Sequence, residues 1–94
     1  MAYQVRLKPR ALREMVKLSP EDRERLAGKI RSLRQDARPA GCEKVQGTDC
    51  LRVRVGDYRI VYEVSGHLVM ILHVGHRRDV LAAWLLNPAS SGGT

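Results

Sequence analysis

Residues 51–62, Leu-Arg-Val-Arg-Val-Gly-Asp-Tyr-Arg-Ile-Val-Tyr, constrain the fold more than any other part of the chain. Leu51 to Val55 alternates apolar and basic residues, and Tyr58 to Val64 is rich in aromatic and β-branched ones. Gly56-Asp57 between them is a two-residue gap, the signature of a tight β-hairpin. Such a loop pairs Val55 with Tyr58 and sets Arg54 opposite Arg59, with Arg52 on the same face two residues along. Leu51, Val53, Val55, Tyr58, Ile60 and Tyr62 then share the other face and point into a core. Like charges directly opposite each other destabilise a sheet by up to about 1 kcal/mol. Three guanidinium groups on one face do not serve stability, so the pattern predicts an anion-binding surface.

The 94 residues suffice for one domain with a modest core. No apolar run approaches the roughly 20 residues of a membrane-crossing helix, and there is no secretory leader pattern. A soluble, cytoplasmic protein with no membrane partner is therefore expected. Cys42 and Cys50 have no second pair, which is neither a disulfide framework nor a zinc spacing, and thiols are expected. The net charge of +7 points to an acidic partner, either nucleic acid or an acidic protein segment. Residues 1–40 carry 11 basic and 5 acidic side chains, against 6 and 5 in the remainder. Most of the excess thus lies on predicted helices, where charge is usually solvated, and the cluster on the hairpin is the more specific signal.

Tyr3, Val5 and Leu7 alternate on a short strand. Pro9 suits a first helical turn, and Leu12, Met15 and Val16 follow at i, i+3 and i+4, the spacing of a buried helical stripe. Ser19-Pro20-Glu21-Asp22 reads as a second helix start: a capping serine, proline at the first position, and acids at the positive end. That helix is expected to bury Leu26, Ile30 and Leu33, to carry Arg23, Arg25, Lys29, Arg31 and Arg34 on its other face, and to stop before Pro39. Arg38 to Asp49 reads as a loop. After the hairpin, Ser65-Gly66 turns the chain into the apolar run Leu68–Val74, which suits a strand buried on both faces. Val80 to Leu86 predicts a short closing helix with Trp84 as a packing anchor, and residues 87–94 a flexible tail. The predicted class is α+β: a small, largely antiparallel sheet in the order β-α-α-β-β-β, with a helical pair on one face and a short terminal helix, in one domain spanning residues 1–86.

This order, together with Gly56-Asp-Tyr-Arg-Ile-Val-Tyr62 and Val74-Gly-His-Arg-Arg-Asp79, resembles the RelE/ParE superfamily of bacterial toxins over residues 3 to about 86. The resemblance implies a RelE-like fold and the toxin of a type II toxin–antitoxin system. RelE-like members are endoribonucleases that cut mRNA in the ribosomal A site; ParE-like members inhibit DNA gyrase. Both kinds are held inactive by a cognate antitoxin. The implied partner is an acidic, partly disordered, RelB-like chain that wraps the toxin in a hetero-oligomer. The superfamily's basic positions match Arg52, Arg54, Arg59 and Arg77 here, and its C-terminal tyrosine position falls at Leu81.

The chemistry implied is attack of an RNA 2′-hydroxyl on the adjacent phosphate, assisted by cations around the charged transition state. Arginine forks suit that role and bind phosphate oxygens in pairs, but arginine stays protonated and is a poor base. With leucine in place of the tyrosine, the proton-transfer candidates are His76, His73 or none. His76 is the expected one, because it adjoins Arg77 and imidazoles titrate near neutrality. His73, inside an apolar strand, reads more readily as a satisfied core histidine. Lys44 and Arg78 are expected to add RNA contacts. No His/Asp/Glu cluster has metal-ligand spacing, so metal-independent chemistry without a cofactor is expected.

Overall fold

The alternating N-terminal residues form strand β1 (Gln4–Leu7) in the computed structural model of the chain, which describes residues 2–76. Lys8 alone separates β1 from helix α1 (Pro9–Val16), where Pro9 occupies a position whose N–H has no helical partner anyway. Helix α2 (Pro20–Ser32) starts as the sequence predicts: Ser19 Oγ accepts a hydrogen bond from the Asp22 N–H at 3.3 Å. Arg23, in the first turn of α2, donates to the Met15, Val16 and Leu18 carbonyls at 3.1, 3.1 and 2.8 Å and so closes the exposed end of α1. Removing the cap with Ser19→Ala is expected to lower stability by about 1 kcal/mol, seen as a lower urea midpoint at unchanged slope.

Strands β2 (Glu43–Lys44), β3 (Leu51–Val55), β4 (Tyr58–Ser65) and β5 (Leu68–His76) complete one sheet in the order β1-β5-β4-β3-β2. Among the described strands only β1 and β5 run parallel; the other pairs are antiparallel. Gly56 and Gly66 have φ of 59° and 60°, and no other residue type among those described has a positive φ. Each hairpin therefore turns on a glycine at its first central position, where a side chain would be strained. The β3–β4 register is the predicted one, with Val55 opposite Tyr58 and Arg54 opposite Arg59.

Both helices pack on one face of the sheet. Ala11, Met15, Leu26, Ile30 and Leu33 meet Val53, Ile60, Tyr62, Val69, Ile71 and Val74 in the main core. The fully buried Tyr62 donates from its hydroxyl to the Ala37 carbonyl at 2.7 Å. On the sheet's other face a smaller cluster joins Val45, Cys50, Val61 and Leu72. Cys42 packs against the main core and Cys50 in the small cluster, so the two thiols lie on opposite sides of the sheet and are free. Burial pushes the Cys50 thiol above its ordinary pKa.

Three expectations change. The buried stripe of α1 is Ala11 and Met15, while Leu12 and Val16 are 56% and 65% exposed. A helix joined to β1 through Lys8 alone lies close to the sheet, and the small Ala11, rather than Leu12, fits beneath it. Second, the segment read as a loop contains β2, two residues too short to show any period. Third, the run Leu68–Val74 continues as strand to His76. The closing helix expected at 80–86, with Leu81 and Trp84, and the tail at 87–94 lie outside the described residues.

One irregularity decides which side chains meet. Tyr62 faces Ile71, but Val61 faces His73, which leaves Leu72 as the extra residue of a β-bulge. An unbroken strand would put residues 71, 73 and 75 on one side. Beyond the bulge the phase is reversed: Val74 enters the main core opposite Ile60, and His73 and Gly75 come to the face that carries Arg59.

Candidate functional site

The arginine face is assembled by β3 and β4. Arg54 stands opposite Arg59, and Arg52 is opposite Val61 on the same side. β2 adds Glu43, which faces Arg52 in register and lies 3.3 Å from its Nε. Arg52 is thus partly neutralised, whereas Arg54 and Arg59 have no carboxylate partner among the described residues. Among the described residues Arg59 Nε is moreover buried without a hydrogen-bond partner. A buried, unsatisfied guanidinium N–H is costly, and it is satisfied best by an incoming oxygen acceptor. Opposite Arg59 on β5 is Gly75, which places no side chain over the face. The arrangement suits a phosphate, which accepts from guanidinium forks and relieves the repulsion between Arg54 and Arg59.

The other predicted site residues fall elsewhere. His76 pairs with Tyr58, on the helix side of the sheet, and the two rings meet edge to face with centroids 5.9 Å apart. Tyr58 in turn donates to Asp22 of α2 at 3.1 Å. The structure therefore does not bring the His76 side chain to the arginines; the bulge sends it to the opposite face. Lys44 pairs with Leu51, whose side chain packs against the main core, so Lys44 too leaves the sheet on the side away from Arg52. Arg77 and Arg78 lie outside the described residues.

Two residues that sequence reasoning gave no role stand close to this surface. Glu43 was hidden inside the supposed loop. Glu14 on α1 reaches the edge of β5 beyond the end of β1, where one carboxylate oxygen accepts from the Val74 N–H at 2.9 Å. Its other oxygen lies 2.6 Å from His73 Nδ1 and 3.5 Å from Arg10 Nε. Burial by itself raises the Glu14 pKa, but the contacts with His73, the Val74 N–H and Arg10 together outweigh it and hold the carboxyl below its ordinary value. A carboxylate favoured in this way stabilises the fold above the unfolded-state pKa, and that contribution is lost as the pH falls through and below about 4. Glu14→Gln is accordingly expected to be less stable than the wild type at pH 7, with the difference shrinking on acidification, as followed by urea midpoints at several pH values.

No described helix is long and apolar enough to cross a membrane. Among curated proteins none matches the chain. Among solved structures, the toxin in the intact Escherichia coli RelBE toxin–antitoxin complex is 32% identical, with a TM-score of 0.70 over 80% of this chain and 96% of that one. The isolated E. coli RelE toxin is 29% identical, with a TM-score of 0.71 over 92% and 98%. The Mycobacterium tuberculosis RelBE2 complex shares the fold at 24% identity, with a TM-score of 0.74 over 82% of this chain and 100% of that one. The family model for the ParE toxin of the type II toxin–antitoxin system parDE matches residues 5–81. With that match over most of its length and the RelE-like sheet and helical pair, the chain belongs to the RelE/ParE superfamily and is the toxin of a type II toxin–antitoxin system.

Proposed function

We propose that this toxin is a ribosome-dependent mRNA endoribonuclease that stops translation, and that it is held inactive by an acidic, RelB-like antitoxin. The observation that carries the reading is the pair Arg54 and Arg59, placed opposite each other with Arg59 Nε buried and unpartnered. Such a surface favours a species with more negative charge than the ground-state phosphodiester, which is the requirement for stabilising a phosphorane-like transition state. Arg52 supplies a further cation. Arg77 and Arg78, which follow β5 in the sequence, are assigned to the same phosphate and its flanking RNA. The chemistry proceeds without a metal: the arginines carry the charge stabilisation that a cation would otherwise provide.

A second reading is supported by two observations. The matching family model is that of ParE, and the superfamily's C-terminal tyrosine position is held by Leu81. In that case the arginines recognise a protein partner and the toxin inhibits DNA gyrase by binding. Sequencing of mRNA ends after induction separates the two. Cuts at codon spacing within translated messages support the ribonuclease; intact messages with gyrase trapped on DNA support the inhibitor. Co-expression with the adjacent reading frame is expected to yield a stable complex, and failure to recover one counts against the antitoxin assignment.

A further inference from the structure

RNA cleavage through the 2′-hydroxyl needs a proton acceptor, which the arginines do not provide. Of the three histidines, His76 lies against Tyr58 on the helix side. His67 sits at the β4–β5 turn beside Tyr3, at the far end of β4 from Arg59. His73 remains. It is 5% exposed and faces Val61, so it shares the arginine face and is the diagonal neighbour of Arg59, across the bare Gly75.

Its surroundings are those of an oriented base. Glu14 contacts Nδ1 at 2.6 Å, which favours the proton on that nitrogen and leaves the lone pair on Nε2. Among the described residues Nε2 is buried without a hydrogen-bond partner, like Arg59 Nε on the adjacent strand, and the close approach of Glu14 to Nδ1 falls short of an aligned hydrogen bond. Nε2, the acceptor in that tautomer, and Arg59 Nε, a donor, thus flank a glycine that is only half-buried. Together they match a 2′-hydroxyl that gives up a proton and a neighbouring phosphate that gains charge.

We infer that His73 is the catalytic proton acceptor of this toxin and Glu14 its positioning residue, an assignment that rests on the ribonuclease reading above. His73 Nε2 takes the 2′-hydroxyl proton as the 2′-oxygen bonds to phosphorus. The bond from phosphorus to the 5′-oxygen breaks, and that oxygen takes a proton from water. The products are a 2′,3′-cyclic phosphate and a 5′-hydroxyl end; the hydroxide left by the water is neutralised by the proton that His73 releases. Nε2 is buried, so RNA entry has to uncover it. Among the described residues the charged groups facing the imidazole are Glu14, backed by Arg10, from α1 and Arg59 from β4.

The test is single-turnover cleavage of mRNA on programmed ribosomes, with the full chain, across the pH range in which imidazoles titrate. The wild-type rate is expected to rise with pH and level off. His73→Gln is expected to lose about 10²–10⁴-fold and the pH-dependent limb with it. Glu14→Gln is expected to shift the midpoint of that limb, which a purely structural role for Glu14 would leave in place. Arg59→Ala is expected to lose rate while the pH-dependent limb persists, its midpoint moving upward because a cation beside the imidazole is removed. If Arg59→Ala is impaired but His73→Gln cleaves within about threefold of wild type, the inference is overturned and the ribonuclease reading stands. If the wild type itself leaves ribosomal mRNA intact, both fall. Should His73→Gln melt without a cooperative transition, the wild-type profile decides: a rate that is flat through the imidazole range overturns the assignment.

Discussion

Replacing Arg59 by Ala is expected to slow cleavage of ribosome-bound mRNA by about 10²–10³-fold, the usual loss when one preorganised transition-state donor is removed. The same substitution is expected to leave the folded state at least as stable as the wild type. Arg59 stands directly opposite Arg54, and its Nε is buried without a partner, so truncation relieves both a like-charge contact and an unsatisfied donor. Activity falls while the urea midpoint holds or rises, a combination that a purely structural arginine does not produce. Arg59→Lys keeps the charge but not the planar fork, and it is expected to recover only part of the rate. Arg52→Ala is expected to cost less than Arg59→Ala, because Glu43 already lies 3.3 Å from its guanidinium. A wild-type rate for Arg59→Ala with folding intact would remove the observation on which the proposed function rests.

Tyr62→Ala is expected to destabilise the chain by about 3–5 kcal/mol, a large share of the roughly 5–15 kcal/mol available to a small domain. The Tyr62 ring is fully buried in the main core, and its hydroxyl donates to the Ala37 carbonyl at 2.7 Å, tying the segment after α2 to the middle of the sheet. Tyr62→Phe keeps the ring and leaves that carbonyl unpaired, for an expected loss of about 1–3 kcal/mol. Burial, reinforced by the neighbouring Cys42, pushes the phenol well above its ordinary pKa. Alkaline titration followed by phenolate absorbance is therefore expected to show Tyr62 ionising only as the chain unfolds. Equal urea midpoints for Tyr62→Phe and the wild type would show that the Ala37 bond contributes nothing net.

The hairpin was legible because its signals are local and agree. A glycine at the turn, a period of two and β-branched residues all specify one register, and the register puts Arg52, Arg54 and Arg59 together. The start of α2 was legible for the same reason, since Ser19, Pro20 and Asp22 act within one turn. The stripe of α1 was legible only in part: Leu12, Met15 and Val16 have the correct spacing, but only Met15 is buried, with Ala11 beside it, while Leu12 and Val16 face outward. The orientation of α1 is set by the one-residue link to β1 and by Glu14 reaching Val74, 60 residues away. Nor could the side of His73 and His76 be read from the sequence. The run Leu68–Val74 has no alternation from which to read a phase, and the bulge at Leu72 reverses that phase between the two halves of β5. Glu43 escaped because β2 is too short to leave a pattern.

The parallel pairing of β1 with β5 bears on the order of events during synthesis. Gln4 to Leu7, made first, find their partners only at Leu68 to Ile71. Both hairpins from Leu51 onward close between sequence neighbours, whereas β1 waits until β5 has emerged. The contact that orients His73 waits as well, because Glu14 belongs to the first helix and His73 to the last strand described. A nascent chain still short of β5 thus has the Arg54–Arg59 pair but neither a completed sheet nor a positioned imidazole. The topology postpones assembly of the proposed base until β5 has been made.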